Sequence, residues 1–437
     1  MNMKSIPHAP ASAATNNPFV AALGSLPQSL VELAKRMTPD VPVPTDTMRT
    51  QGELARFIAL GSLEDVYVPT SRDITAAMTI MRLINRGYVR RPPTPRYWLH
   101  HQAQAKALAN PSAPLAGRSS APSFSFTGTS GLGKSTSMDM ILNLYPTAVQ
   151  HDQEENPLLP RFQVPTLKIT CPVNRTPRAF MGEFFTGMQN ATGIDYSYCQ
   201  SRRFNDDEMI IEMGRIARLH CLGLLVFDEV QQVVGGDDRL RRLLVRLTNT
   251  VQVPIVFVGT PHAQGELHKQ LATARRMLGE TWLPFKASDP DWEDIVEVIW
   301  NYQVTRTPTM LDAPLKAKMH ELTCGIPALA KALYTFAQEH LILNSQPEDS
   351  EEITTEILHA VFHDKMASVI PAMNALSTGK GLEEFDDLLP DKLPKPTSWR
   401  EEKQLEDAVN VEFYRAAISA ARRTGKAFAL SQITGAA

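Results

Sequence analysis

Gly128-Thr129-Ser130-Gly131-Leu132-Gly133-Lys134-Ser135 satisfies the spacing G-x-x-x-x-G-K-[ST] at every fixed position. The chemistry this spacing supports is the holding of a polyphosphate. Glycines let the backbone curl until its N–H groups converge on phosphate oxygens. Lys134 is placed to reach the β/γ-phosphates and the Ser135 hydroxyl to bind Mg²⁺, while Thr136 follows in the first turn of a helix whose N-terminus favours anions. Residues Gly128 to Thr136 are therefore the expected nucleotide contacts. A second constellation, Asp228-Glu229, ends the apolar run Leu222-Gly223-Leu224-Leu225-Val226-Phe227. An acidic residue at that point can hold Mg²⁺ through water, which makes Ser135 and Asp228 the expected metal residues. The adjacent Glu229 is suited to polarise an attacking water. Downstream of a matched phosphate loop, the pair reads as hydrolysis rather than nucleotide storage. Three further positions stay open on residue type alone. Thr260 either reaches the γ-phosphate or the attacking water from a neighbouring strand end, or caps the turn that follows it. Arg275 and Arg276 are either fingers that reach a neighbouring subunit's γ-phosphate or arginines paired with a helix end.

These residues need strands that end together and helices that start there. Phe124 and Phe126 alternate as in a strand before the loop, and a helical run from Lys134 ends at Tyr145-Pro146. Thr166 to Thr170 reads as the second strand, and Leu222 to Phe227 as a central parallel strand covered on both faces. Pro254 to Val258 is the next buried strand, and Thr281 to Phe285 a short last one. Thr176-Pro177 starts a helix that runs to about residue 190. Asn205-Asp206-Asp207-Glu208 starts another, with acidic residues where the helix dipole favours them. Beyond Asp289 the pattern is helical throughout: Asp291–Gln303, Ala313–Thr323, Pro327 to about Leu343 and Glu351 to about Met373.

The 437 residues suffice for two or three domains. With 43% hydrophobic and 21% charged residues, the chain has the balance of a soluble globular protein. A net charge of −3 excludes a global field that draws in nucleic acid, so any such contact rests on local patches or on their sum over an oligomer. Cys171, Cys199, Cys221 and Cys324 share no C-x-x-C spacing, which argues against a zinc site or a disulfide framework. The expected compartment is the cytoplasm, with no membrane partner. Residues 1–18 read as disordered and 19–120 as a helical extension with a linker. The nucleotide core is expected over 121–288, a helical module over 289–378, and a partner-binding tail over 379–437. In the extension, Ser71 caps a helix that Gly87 ends, and RGYVRRPPTPRYW from Arg86 interleaves arginines with Tyr88, Tyr97 and Trp98. That run is either a nucleic-acid contact by phosphate binding and stacking or a proline-rich connector with solvated arginines.

The order of parts (strand, phosphate loop, DE-ended strand, a strand ending in Gly-Thr, an arginine pair, a helical lid) resembles that of AAA+ ATPases. More narrowly, FTGTSGLGKST, LLVFDEVQ, VFVGTP and LATARRM together resemble the TnsC/TniB family of transposition regulators, over roughly residues 120 to 340. The resemblance implies an α/β AAA+ P-loop fold with a five-stranded parallel sheet of the ASCE type, a helical N-terminal extension and a C-terminal helical lid plus tail. It implies ATP and Mg²⁺ as cofactors and assembly as a homo-oligomer, ring or helical filament, on double-stranded DNA. A transposase and a target-selector protein are the implied partners, and hydrolysis would drive disassembly. Thr260 would be sensor I, and Arg275 or Arg276 the finger acting in trans. DNA backbone contacts would come from Asn174, Arg175, Arg178, Arg202 and Arg203. One departure stands out: the lid helix begins Gly325-Ile326-Pro327-Ala328-Leu329-Ala330-Lys331, with a lysine and no arginine for sensor II. Other readings are an initiator or helicase loader of the DnaA or IstB kind, and a nucleotide-dependent scaffold that binds only proteins. A small-molecule kinase needs neither Glu229 nor a finger arginine.

Overall fold

A computed structural model describes residues 17–91, 93–95, 122–155, 157–174, 176–201, 204–234, 253–261, 263, 279–346, 348–385 and 387–388. They form two compact units interleaved along the chain. The described residues of 1–26, 76–127 and 138–281 make one, and those of 27–75, 128–137 and 282–437 the other. The stretch 19–120 thus contributes to both. In chain order the principal elements are α1 (Glu53–Leu60), α2 (Ser71–Val89), β1 (Ser123–Gly128), α3 (Lys134–Leu142), β2 (Thr166–Thr170), α4 (Pro177–Thr192), α5 (Asp206–Leu219), β3 (Leu224–Asp228) and α6 (Gln231–Val234). They continue with β4 (Ile255–Gly259), β5 (Gly279–Trp282), α7 (Pro290–Trp300), α8 (Ala313–Thr323), α9 (Pro327–Asn344), α10 (Thr355–Lys365) and α11 (Ile370–Thr378).

The first unit is built on a five-stranded parallel sheet of order β2-β3-β4-β1-β5. Every residue of β3 and β4 is buried, as a near-continuous apolar run requires of a strand covered on both faces. The register pairs Thr170 with Asp228 and Thr127 with Gly259, so the C-terminal ends of β1 to β4 lie at one edge. The last strand begins two residues earlier than its apolar pattern indicates. Gly279 lies against β1 so closely that a Cβ there would fall 1.8 Å from the Ser125 carbonyl oxygen. Only glycine lets that edge close.

Helix α4 starts where Pro177 sits at its first position and the Thr176 hydroxyl accepts the Ala179 N–H. Helix α5 starts on a complete capping box between Asn205 and Glu208. Their apolar faces carry Phe180, Phe184, Phe185, Met188, Met209, Met213 and Ile216 into one core with Leu167, Ile169, Leu225, Phe227, Ile255 and Phe257. At about 1.5–3 kcal/mol for each large side chain removed from water, this layer holds the strand ends in place. The Asn17 amide donates to the Tyr88 carbonyl (2.8 Å), and the Gln163 amide to that of Phe19 (2.9 Å). Helix α2 does not stop at Gly87 but runs to Val89. Tyr88 is fully buried, and a Cβ on Gly87 would lie 3.7 Å from the Pro254 ring. Packing overrides the glycine signal there.

The second unit holds α7 to α11. Its core includes Trp292, Ile295, Ile299, Leu333, Tyr334, Leu358 and Phe362. The helical stretch expected over 351–373 is two helices, because α10 ends at Lys365 and α11 restarts with Pro371 in its first turn. Glu351 is completely buried and receives the Arg56 guanidinium from α1 together with the Arg306 N–H and Nε. The four cysteines are free thiols, three of them buried. Among the described residues no helix is long and apolar enough to cross a membrane.

Candidate nucleotide site

In the second unit, residues 128–137 form the expected phosphate loop and the first turn of α3. Gly131 and Gly133 take φ of +81° and +85°, a region that favours glycine. A Cβ on Gly128 would lie 2.5 Å from the Trp282 carbonyl oxygen, and one on Gly131 2.8 Å from Ile326 Cγ2. The start of α9 is docked on the loop, with the Ala328 N–H donating to the Gly131 carbonyl (3.1 Å). Lys134 Nζ donates to the carbonyls of Gly128 and Thr129, each at 2.8 Å. Leu132 is buried, whereas Gly133, Lys134 and Ser135 are half-buried and Ser130 and Thr136 exposed. Among the described residues the buried Thr129 hydroxyl meets no hydrogen-bond partner. An orphaned hydroxyl inside a loop of this shape is consistent with a group that holds an anion.

In the first unit, Asp228 ends β3 and is 4% exposed. Its Oδ1 accepts the Glu229 N–H (2.9 Å), and Lys168 Nζ lies 3.4 Å from Oδ2. Lys168, from β2, also pairs with Asp139 of α3 at 2.5 Å. Among the described residues Glu229 is one of three non-glycine residues with positive φ (+57°). Strain of this kind, of order 1–3 kcal/mol, persists where surrounding contacts over-determine it. Here they are the Val230 N–H on the Val258 carbonyl (3.0 Å) and the Gln232 N–H on the Glu229 carbonyl (2.9 Å). The Gln231 amide nitrogen donates to the Glu229 carboxylate, and its oxygen accepts the Thr260 N–H at 3.2 Å. Thr260 is 6% exposed, at the end of β4. Asp228, Glu229 and Thr260 are thus brought to one edge of the sheet.

Residues 118–267 match a family model described as AAA domain. The fold is that of an AAA+ P-loop NTPase. No curated protein matches the chain. Among solved structures, the Aeropyrum pernix ORC1 protein in complex with DNA is similar at 18% identity and a TM-score of 0.41, covering 76% of this chain and 86% of that one. Cdc6p from Pyrobaculum aerophilum is similar at 12% and 0.38, covering 70% and 88%. Domain III of the Thermotoga maritima replication initiation protein DnaA is similar at 14% and 0.32, covering 62% and 92%. Likeness at this level says nothing of function.

The remaining expected residues are less gathered. Asn174 lies in the turn after β2, beside Val173, whose side chain is 76% exposed. Arg178 donates to the carbonyls of Gln200, Ser201 and Phe204. Arg175, Arg202, Arg203, Arg275 and Arg276 lie outside the described residues, as do the segments 1–16 and 389–437. From the basic, aromatic run, Tyr88 belongs to the core, and Arg91 donates to the Leu222 carbonyl (2.8 Å). Lys331 donates to the carbonyls of Glu64 (3.0 Å) and Val66 (2.7 Å). Burial holds its ammonium below the ordinary lysine range. Sequence reasoning missed Lys168 and Gln231. For Gln231 the signal was present: an amide two residues after Glu229, at the start of a short helix.

Proposed function

We propose that the chain is an Mg²⁺-dependent ATPase that assembles on duplex DNA under ATP control and regulates DNA transposition. What carries the hydrolytic part is the Asp228-Glu229 arrangement. A buried carboxylate is fixed at the end of β3, and a second, half-buried one is held beside it by Gln231. The loop N–H groups and Lys134 would bind the phosphates. Ser135 and Asp228 would hold Mg²⁺, since a hydroxyl and a carboxylate are the oxygen donors a hard cation takes. When bound, that ion neutralises phosphate charge. Glu229 would accept the proton of the attacking water, and Thr260 would orient that water or the γ-phosphate. Arg275 or Arg276 would complete the site of a neighbouring copy, which makes ATP a link between subunits.

For DNA, backbone contacts would come from Asn174, in the exposed turn after β2, and from Arg175, Arg178, Arg202 and Arg203. These position without reading sequence. Few per subunit suffice when many subunits line up, which fits a net charge of −3. The role in transposition, between a target selector and a transposase, rests on the four-motif resemblance. Particle size by mass photometry and negative-stain microscopy tests the reading, with ADP, ATP or a non-hydrolysable analogue, with and without duplex DNA. Assemblies that need ATP and duplex together, persist in Glu229→Gln and vanish in Lys134→Ala are expected. A protein that stays monomeric under every condition refutes it.

A further inference from the structure

We infer that Gln231 is the positioning residue of the hydrolytic site, setting the orientation of the Glu229 carboxylate by tying it to the Thr260 main chain. This deepens the ATPase reading and rests on it. A carboxylate can only accept a hydrogen bond, and a backbone N–H can only donate one. The Gln231 amide meets both, with its nitrogen toward Glu229 and its oxygen toward the Thr260 N–H. Flipping the amide would break both bonds, so the two partners fix its orientation. The bridge is also sterically confined: a Cβ on Gly259 would lie 3.0 Å from the Gln231 amide oxygen. The amide thereby joins two strand ends, because Glu229 follows β3 and Thr260 follows β4.

The consequence is chemical. Among the described residues the other hydrogen bonds of Glu229 are made by its backbone, its N–H on Asp228 and its carbonyl on the Gln232 N–H. They set where the residue sits and leave the carboxylate to rotate. Gln231 removes that rotation and ties it to Thr260, which stands at the neighbouring strand end. A general base must lie within hydrogen-bond reach of the proton it takes, and a misplacement of about 1 Å can cost on the order of a hundredfold in rate. Asparagine is one methylene shorter and cannot span the same two partners. Glutamate keeps the acceptor for Thr260 but sets a carboxylate against a carboxylate.

Steady-state ATPase assays on the full chain, with and without duplex DNA, test this, alongside binding of a fluorescent ADP analogue and thermal melting. Gln231→Ala and Gln231→Glu are each expected to lower kcat by roughly 10–100-fold, with ADP affinity within about threefold of wild type. Gln231→Glu decides between roles: nearly isosteric and still an acceptor for Thr260, it keeps a merely structural contact, so its loss matching or exceeding that of Gln231→Ala marks action through Glu229. Near-wild-type kcat in Gln231→Glu overturns the inference, and so does a loss confined to KM or to ADP affinity. Wild-type turnover no higher than that of Lys134→Ala overturns the ATPase reading itself, and the inference with it. That failure is recognisable because the unmutated protein is then silent.

Discussion

Replacing Gly131 with alanine places two separate costs on one methyl group. The first is conformational: φ at Gly131 is +81°, and an L-residue in the left-handed region costs roughly 1–2 kcal/mol. The second is steric. The new Cβ would stand 2.8 Å from Ile326 Cγ2 and 3.3 Å from Ala328 Cβ, and overpacking of this kind typically costs about 1–3 kcal/mol. Both oppose the conformation in which the Ala328 N–H meets the Gly131 carbonyl. The loop escapes them by leaving that conformation, and apparent affinity falls by the fraction that remains competent. The sum of roughly 2–5 kcal/mol corresponds to at least about a 30-fold weaker Kd, at 1.4 kcal/mol per factor of ten. Equilibrium titration with a fluorescent ADP analogue reads this directly. The companion Ile326→Leu removes the Cγ2 branch at nearly constant volume, at a cost under about 1.5 kcal/mol. In the double variant part of the lost affinity returns, leaving the φ cost. ADP binding by Gly131→Ala within threefold of wild type refutes the reasoning, as does a double variant that recovers nothing.

Glu351→Ala leaves the Arg56 guanidinium, 1% exposed, without its counter-charge. Thermal melting is expected to show a loss of roughly 3–5 kcal/mol, and a shift under about 2 °C contradicts it. Burial pushes the Glu351 carboxyl up, but bonds from Arg56 and Arg306 outweigh it and hold the group below the ordinary range. Its contribution is therefore full above about pH 4.5 and is lost as pH falls below that value. Asp291 behaves oppositely, because burial pushes its carboxyl up to about 6 against the Ser71 bonds that favour the charged form. The folded state then holds an extra proton between about pH 4 and 6, and stability falls as pH rises through that window. Asp291→Asn should be more stable than wild type at pH 8, by up to about 3 kcal/mol, and lose that advantage below pH 4; urea melts at both pH values decide. Lys331→Met should cost about 0.5–1.5 kcal/mol of stability through the lost bonds to the carbonyls of Glu64 and Val66. It should leave ATP and ADP affinities within twofold, and a tenfold loss specific to ATP would instead make Lys331 a γ-phosphate sensor.

The elements that carry chemistry were legible because each obeys a local rule. The loop needs its glycines at fixed spacing, β3 and β4 are apolar because both their faces are covered, and α4 and α5 announce their starts by Thr176-Pro177 and Asn205 to Glu208. What was not legible depends on residues far apart in the chain. Lys168 carries no signal of its own in the strand TLKIT, yet it lies between Asp139 and Asp228. No spacing rule connects 139, 168 and 228. Gly87 reads as a helix stop, but Tyr88 must be carried one step further to reach the core. Tyr88 itself looked available for base stacking and is fully buried. Lys331 sits where a sensor cation belongs, but its partners come from residues 64 and 66.

The two carboxylates at the end of β3 are held by different means, and that difference bears on which one can change state. Asp228 lies inside the strand: its carbonyl accepts the Cys171 N–H (2.9 Å), its Oδ1 the Glu229 N–H, and its Oδ2 faces Lys168. Two backbone bonds and an ion pair fix its direction in advance, as a group that must not reorganise during reaction requires. Glu229 has left the strand. Its main chain is held in a strained left-handed turn, but among the described residues its carboxylate takes its direction from one side chain on a four-residue helix. Breaking that single amide contact frees the carboxylate without disturbing the sheet. Of the pair, Glu229 is therefore the member whose carboxylate depends on a side-chain contact, made by Gln231, which touches Thr260 as well.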